Sequence, residues 1–518
     1  MPSSGEAKLP VVRAQSWRQR ADRSLTQVLW FAALASICVL VAVALRRVSY
    51  PFELEWMEGA MVDHVRVVLS GEPLYHAPSI EHTPFLYTPL YHYLGAGLAK
   101  LFGVSFTLLR SISILATLAS LALIGWIVLA ETQSRLAAVV AAGLFAASYG
   151  LTGFWLDIAR ADSLCLALVL GAVATARFGE STRAHLATAV LLVLAFFTKQ
   201  TALALAIGPL AYLVAKDWRR GLGAVAVFVV LLGGIVGWLD ARSGGWFTFY
   251  VFEIGSSHPF LWDRWHQLWV DFFWNPVAVS ALLAALAFVG PALWTKGRRV
   301  WAFYLLLCIT SAGSAYLSLL HKDGFVNVLI PAYAMLSLVV GPGLSWVLAE
   351  RERMDRVSGA SVGLFTKLAI LVGFALLAYQ PQRALPTEQD EPACTAMIQV
   401  LRDQPGEILV LGTGYYGALA GHPEIHAHAM GLADVFKSDA QPVRAQLLDD
   451  LVRSLRSRRF AAVVSGRALS LLPPEIGTEL GRSYRRERQL FPPDARAACW
   501  PKVGFANRPE QLWVARPQ

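Results

Sequence analysis

The chain has few charged residues for its length. Asp, Glu, Lys and Arg make up only 16% of its 518 residues, whereas about a quarter of a soluble protein is charged. So few charges cannot cover the surface of a soluble chain of this size, which excludes that class. Instead, 56% of the residues are hydrophobic, and they fall in many runs of about the length that crosses a bilayer. The composition therefore predicts a polytopic membrane protein.

A continuous basic stripe is also missing, although the formal net charge is +9. The basic residues form short clusters between apolar runs, near residues 18–23, 216–220, 296–299 and 351–356. Clusters of this kind mark cytoplasmic loops under the positive-inside rule. Nucleic acid is therefore excluded as a partner, and membrane lipids are the expected surroundings.

Cysteine is scarce, since the chain has five, too few for a disulfide-rich scaffold. Three lie within apolar runs, where they suit small core residues: Cys38, Cys165 and Cys308. Cys394 and Cys499 are the two in the charged, proline-rich C-terminal part. In an oxidising compartment they can pair, and we predict a disulfide between them.

The order of apolar runs predicts a mainly α membrane protein with about eleven transmembrane helices and a small C-terminal α/β domain. Residues 1–27 form a basic cytoplasmic N-terminus, 28–379 the transmembrane domain with a first outer loop at 46–105, and 380–518 an extracytoplasmic domain. An Ala42-Val43-Ala44 match to a signal-peptide cleavage site is the alternative for the first run, but its length favours a retained helix. The predicted spans are about 28–45, 107–130, 136–153, 163–177, a hairpin within 186–215, 222–239, 277–294, 300–318, 328–349 and 362–379.

The run at 186–215 is interrupted by Thr198-Lys199-Gln200. Read as one span, it would place all later basic clusters outside the cell, against the positive-inside rule. Read as a hairpin, each half has about 12 to 15 residues and a length of about 18–22 Å, shorter than the hydrocarbon core of about 30 Å. We therefore predict a short hairpin whose Lys199 tip lies in a recess, beside protein or water.

The C-terminal part predicts strands at Glu407–Leu411, Phe460–Ser465 and Gln511–Ala515 and a helix at Ala440–Arg458. Its Gly412–Gly417 segment matches G-x-G-x-x-G, but the acidic residue and βαβ spacing of a dinucleotide site are not evident. Three nearby histidines (His422, His426 and His428) have no evident companion ligand for a metal. We interpret both features as loop structure.

Polar side chains gather on one predicted side of the membrane. Ionisable side chains at the depth of the membrane cost free energy to bury, so they are candidates for function. Transfer of a sugar from a lipid phosphate needs a carboxylate base for the acceptor hydroxyl, cations for the departing phosphate, and a water-poor site. The candidates are Glu55, Glu58, Tyr87, Tyr91, His92, Asp157, Arg160, Asp162, Lys199, Gln200, His321 and Lys322.

Three motifs in the first outer loop carry a family resemblance. Met57-Glu58-Gly59 is followed by Gly71-Glu72-Pro73-Leu74-Tyr75 and by Tyr87-Thr88-Pro89-Leu90-Tyr91. This order resembles the bacterial polyprenyl-phosphate-dependent glycosyltransferases of the GT-C superfamily, which include protein mannosyltransferase-like and RgtA/B/C/D-like proteins. The resemblance covers about residues 28–350. Many relatives have Asp-Glu-Gly where this chain has Met57-Glu58-Gly59.

The resemblance implies an inverting glycosyltransferase in the bacterial cytoplasmic membrane, with its site facing the periplasm or exterior. The donor would be a polyprenyl-phosphate sugar and the acceptor a lipid, a glycan or a protein. Glu58 is the first choice of base and Glu55 the reserve, with donor phosphate on Arg160, Lys199 and Lys322. The substrate contacts would be Asp157, Asp162, Gln200, Tyr87, Tyr91, His92 and His321. No cofactor or protein metal ligand is assigned, although Mg²⁺ or Mn²⁺ bound with the donor is left open.

Plainer interpretations stay open for several of these residues. Arg160 with Asp157 and Asp162 suits a structural ion pair equally well, and Tyr87, Tyr91 and His92 suit an interfacial aromatic belt. Two other functions also stay open: a transporter or flippase for a lipid-linked sugar, and a non-catalytic protein of envelope polysaccharide assembly. Transporters commonly contain repeats with paired broken helices, and no repeat is evident here.

Overall fold

A computed structural model describes residues 9–268, 297–322, 324–358 and 361–517 of the chain. Apolar helices dominate the first three quarters of it. Their bounds are α1 Leu9–Arg47, α2 Glu58–Ser70, α3 Leu90–Phe102, α4 Phe106–Thr132, α5 Arg135–Ala147, α6 Asp162–Phe178, α7 Thr182–Thr198, α8 Ala202–Lys216, α9 Trp218–Ser243, α10 Arg298–Leu320, α11 Ile330–Ser358 and α12 Val362–Leu376. Short helical segments lie at Trp246–Thr248, Phe249–Ile254, Gly255–Ser257, Trp262–Arg264, Trp265–Leu268, Val326–Leu329 and Pro381–Ala384.

The helices confirm a multi-pass membrane protein. Helices α1, α4, α9 and α10, and α11 with the turn before it, are long and apolar enough to cross a bilayer, and α5, α7, α8 and α12 are shorter apolar helices. Each of the helices α1 and α4 to α12 overlaps a predicted span, including both arms of the hairpin. The remaining predicted span, 277–294, lies outside the described residues.

The third predicted span is too long at its end. We predicted a helix over 136–153, but α5 ends at Ala147. Gly153 and Phe154 have positive φ angles of 67° and 59°, and this backbone conformation is incompatible with a continuing right-handed helix. Residues 148–161 therefore form turns, which bury Asp157 and Arg160 at the end of the bundle that faces the C-terminal domain.

The opposite end of the bundle collects basic residues from several helices. Arg177 bonds to Glu131, and Lys216 donates to the carbonyl of Gly179 at 2.8 Å. Lys367 pairs with Asp22 at 2.5 Å. This grouping is what the positive-inside rule predicts for the cytoplasmic side.

The C-terminal part forms a small α/β domain. Its helices are α13 Asp390–Arg402, α14 Tyr415–Leu419, α15 Ala429–Lys437, α16 Gln441–Arg456 and α17 Pro474–Ser483. Its strands are β1 Ile408–Val410, β2 Ala462–Ser465, β3 Tyr484–Gln489 and β4 Gln511–Ala515, in sheet order β1-β2-β4-β3. Strand β1 is parallel to β2, and β4 is antiparallel to both its neighbours. Strand β3 was not predicted, because after Tyr484 every residue in it is exposed and no apolar alternation marks it.

The predicted disulfide is confirmed. Cys394 in α13 is bonded to Cys499, with the two Cα atoms 5.3 Å apart. The chain after Cys499 then reaches the first loop, where the backbone N–H groups of Lys502 and Val503 donate to the carbonyl of Leu54 at 2.8 and 3.0 Å. The C-terminal domain is thus attached directly to the loop that contains the candidate carboxylates.

Candidate active site

A cavity of about 570 Å³ lies where the helix bundle meets the C-terminal domain. Its walls come from the first loop, the turns after α5, the hairpin tip, the segment after α10 and the C-terminal domain. Seven of the predicted site residues line it: Glu55, Tyr87, Arg160, Lys199, Gln200, His321 and Lys322. The topology therefore brings together polar groups that are far apart in the sequence.

Glu55 is the carboxylate of the first loop that faces this cavity. Its Oε2 accepts hydrogen bonds from the Met57 N–H at 3.2 Å and from Arg160 Nη1 at 3.3 Å. Its Oε1 is buried and has no hydrogen-bond partner among the described residues. Burial raises the pKa of Glu55 to about 7, against the opposing effect of Arg160. A carboxylate with this pKa exchanges protons near neutral pH.

Glu58 has a different environment. It starts α2, is fully buried, and does not line the cavity. Its two oxygens bond to Arg110, with Nε–Oε1 at 2.9 Å and Nη2–Oε2 at 2.6 Å. They also accept the N–H groups of Leu54 and Ala159, each at 2.7 Å. Burial alone would raise the pKa of Glu58, but Arg110 and the backbone donors lower it below the usual value. These contacts brace the first loop against α4 and the turn before α6.

Arg110 is the residue that sequence analysis missed. It is fully buried in α4, and besides Glu58 it donates to the carbonyls of Tyr50 and Phe52 at 2.5 and 2.6 Å. A signal was present in the sequence, since an arginine inside an apolar span is costly unless it is paired. Its partner, 52 positions earlier in the chain, is not visible from the sequence.

Arg160 lies at the centre of the cavity wall. Its Nη2 donates to the Tyr87 hydroxyl at 2.6 Å, and its guanidinium lies over the rings of Tyr87 and Trp155 at 5.1 and 5.3 Å. With the bond to Glu55, the planar group is fixed on three sides. Such a fixed guanidinium is suited to bind a phosphate oxygen.

Lys199 lies at the hairpin tip and reaches the same cavity. Its Nζ pairs with Asp162 Oδ1 at 2.5 Å. Asp162 is held in turn by Asn327 Nδ2 at 2.9 Å and by Trp155 Nε1 at 3.0 Å. Asp162 and Lys199 also line a smaller adjoining cavity of about 20 Å³. Asp162 therefore orients the lysine ammonium from behind.

The hairpin tip also places Gln200. Its Nε2 donates to the Leu86 carbonyl at 2.7 Å, and its buried Oε1 has no hydrogen-bond partner among the described residues. Across the cavity, the ring of His321 packs on Phe260 at 3.9 Å, and Lys322 follows it. The amide oxygen of Gln200 thus keeps an unused hydrogen-bond acceptor next to the cavity.

Three predicted substrate contacts lie behind the cavity wall and do not line it. Asp157 pairs with Arg47 at 3.2 Å and accepts from Tyr149, so the ion pair expected with Arg160 is formed with Arg47 instead. Tyr91 donates to the Leu109 carbonyl at 2.8 Å. His92 packs on His64, with ring centres 5.1 Å apart. Each is buried among protein groups because its helix or turn directs it away from the cavity.

The histidines and the glycine motif of the C-terminal domain serve the packing of that domain. His426 bonds to Glu407 and His428 to the carbonyl of Trp56, so they do not converge. A Cβ on Gly414 would lie 2.0 Å from the carbonyl oxygen of His426, which explains that glycine by close packing. Among the described residues no group of three His, Cys, Asp or Glu side chains could hold a metal ion. The Mg²⁺ or Mn²⁺ left open above stays a prediction.

Comparison with known proteins adds two findings. Residues 82–239 match the family model for dolichyl-phosphate-mannose-protein mannosyltransferases. This segment includes Arg160 and Lys199 but begins after Glu55. The crystal structure of ArnT from Cupriavidus metallidurans bound to undecaprenyl phosphate is 14% identical, with a TM-score of 0.56 over 94% of this chain and 99% of that one. Its apo form is also 14% identical, with a TM-score of 0.55 over 98% and 100%. No curated protein matches the chain by sequence.

Proposed function

We propose that this chain, which has the GT-C fold of protein mannosyltransferase-like membrane proteins, transfers a sugar from a polyprenyl-phosphate donor to an acceptor hydroxyl. The supporting observation is that a buried carboxylate, Glu55, shares a single cavity with Arg160, Lys199 and Lys322, and that one of its oxygens has no hydrogen-bond partner among the described residues. A base and a set of cations are the two groups that this reaction requires.

The donor phosphate would bind to the cationic side of the cavity. Arg160 is rigid, and Lys199 is oriented by Asp162, so both charges are in place before the ligand arrives. As the sugar–oxygen bond breaks, the departing phosphate gains negative charge, which these preorganised cations stabilise. The apolar lining, including Phe85, Phe252 and Phe325, would accommodate the first isoprene units and exclude water.

Glu55 is the base that we propose, in place of Glu58. The acceptor O–H would give its proton to Glu55 Oε1, the oxygen for which the described part of the chain offers no hydrogen-bond partner. The freed oxygen attacks the anomeric carbon, and the bond from that carbon to the phosphate oxygen breaks with its electron pair leaving on the phosphate. The anomeric centre is inverted when the acceptor enters opposite the leaving group. Glu58 cannot take this role without losing its bonds to Arg110 and to the Ala159 N–H.

The location follows from the two ends of the bundle. The basic residues lie at the end opposite the cavity, so the cavity would open to the outer face of a bacterial cytoplasmic membrane. The disulfide in the C-terminal domain fits an oxidising compartment there. The acceptor would be a lipid, glycan or protein that presents a hydroxyl group to the periplasm or exterior.

A transfer assay tests the proposal. The purified full chain in liposomes is given a panel of radiolabelled polyprenyl-phosphate sugars and an extract of envelope lipids, glycans and proteins as acceptors. We expect a labelled product from the wild type and from Glu72→Gln, which changes an exposed carboxylate of the same loop, and none from Glu55→Gln. Movement of the labelled lipid across the bilayer without product would indicate a transporter instead. Neither product nor movement would favour the assembly protein.

A further inference from the structure

Residues 499–505, called the strap here, connect the disulfide to the cavity. The strap runs beside the first loop, where Glu55 forms a parallel β-bridge with Val503. Two strap N–H groups, of Lys502 and Val503, share the carbonyl of Leu54 as acceptor. The strap thus holds the Leu54–Glu55 peptide through the Leu54 carbonyl oxygen.

Gly504 brings the strap against the Glu55 carboxylate. A Cβ at this position would lie 2.8 Å from Glu55 Oε1 and 3.1 Å from Glu55 Cγ. The φ angle of Gly504 is +76°, a conformation that a side chain makes unfavourable. Gly504 and Glu55 both line the cavity, and the missing side chain lets the strap backbone pack directly against the buried Oε1.

The strap is fixed from behind by groups of α13. Asp390 is buried, and its Oδ1 accepts the Cys499 N–H at 2.7 Å. Its Oδ2 pairs with Lys502 Nζ at 2.6 Å. Together with the disulfide from Cys394, these bonds prevent the strap from moving away when a ligand enters beside Glu55.

We propose that the strap is a positioning element for Glu55, in which Gly504, because it has no side chain, sets the place of the carboxylate. This inference rests on the proposed function of Glu55 as base. It assigns the C-terminal domain a direct part in the reaction, because the strap belongs to that domain. Phe505, whose ring packs on Trp56 at 5.2 Å, completes the same wall.

The test is Gly504→Ala in the full chain, with Gly421→Ala as matched control. Gly421 also has a positive φ, +99°, but an added Cβ there meets nothing within 4 Å. Both changes carry backbone strain, and only the first displaces Glu55. A displacement of the base by about 1 Å can cost about 100-fold in rate. We expect Gly504→Ala to lower kcat by about 10- to 100-fold with the KM for the donor changed by less than about 2-fold.

The pH dependence of kcat provides a second measurement, because a loss of folded protein would not shift its midpoint. The groups that face Glu55 are Arg160, Glu58 and Asp162, and a displaced carboxylate would lie at new distances from them. The midpoint of the kcat profile should therefore shift in Gly504→Ala and stay in place in Gly421→Ala. Equal kcat and midpoint in the two variants, beside an active wild type, would overturn the strap inference alone. An inactive wild type would refute the proposed function, and this inference with it.

Discussion

Replacing Glu55 and Glu58 separately by glutamine should show which carboxylate acts as the base and which one holds the first loop in place. In Glu55→Gln the amide oxygen can keep the hydrogen bonds from Met57 and Arg160, and the amide nitrogen takes the place of Oε1, which had no partner among the described residues. The change also removes the charge that faces the buried Arg160, but Glu55, with a pKa of about 7, is only partly ionised near neutral pH. We therefore expect a smaller loss of stability than in Glu58→Gln. Loss of a general base should cost about 100- to 10,000-fold in kcat.

Glu58→Gln should instead lower the stability of the fold more than it lowers the activity of the folded protein. The carboxylate binds Arg110 and two backbone N–H groups through both oxygens, while an amide offers one oxygen and turns two hydrogens toward donors. Removing one charge from a buried pair costs about 3–5 kcal/mol, since the other charge stays buried. We therefore expect strongly reduced thermal stability in Glu58→Gln, with activity lost in proportion to folded protein.

The assay pairs thermal unfolding in detergent with transfer rates normalised to the folded fraction. Restoring the charge balance with Glu58→Gln/Arg110→Met should recover part of the lost stability, because no isolated arginine charge then stays buried. The reasoning is refuted if Glu58→Gln folds as well as the wild type and has no activity, or if Glu55→Gln keeps nearly full activity. The first result would return the base role to Glu58, and the second would remove that role from Glu55.

Two further predictions follow from the same contacts. The pKa of Glu55 is about 7, and a base must be ionised. We therefore expect kcat/KM to rise with pH, to reach half its maximum near pH 7 and to level off above it. A kcat/KM that falls over this range would contradict the assignment of Glu55 as base. Replacing both Cys394 and Cys499 by serine should lower the unfolding free energy by about 2–4 kcal/mol, measured as a lower unfolding midpoint under non-reducing conditions, whereas Cys308→Ser, at a free cysteine, should not reproduce this loss.

Much of the membrane fold was predictable from the sequence because apolar run length and basic clusters obey simple physical constraints. The hairpin is the clearest case, since the charge rule decided between one span and two, and the structure has helices on both sides of Lys199. The end of α5 was placed too late, although Ser148, Gly150 and Thr152 already interrupt the apolar run after Ala147. Positive φ angles at Gly153 and Phe154 exclude a helix that continues to residue 153.

The site was predictable only in part. The resemblance indicated the first loop, but it could not distinguish two carboxylates three positions apart. That distinction depends on Arg110, which forms an ion pair with Glu58, and on the strap beside Glu55. Both are contacts between distant parts of the chain, and neither leaves a local pattern in the sequence.

The short hairpin has a consequence for which lipids can use the site. Its arms have 17 and 15 residues, which gives about 25 and 22 Å at 1.5 Å per residue, less than the hydrocarbon thickness of about 30 Å. A phosphate bound to Lys199, as proposed, would therefore lie below the plane of the surrounding headgroups. An ordinary phospholipid would have to pull its glycerol esters into that depth with the phosphate, whereas a polyprenyl chain has no polar group below its phosphate to bury. The depth of Lys199 would thus favour a lipid carrier that has no polar group beyond its phosphate.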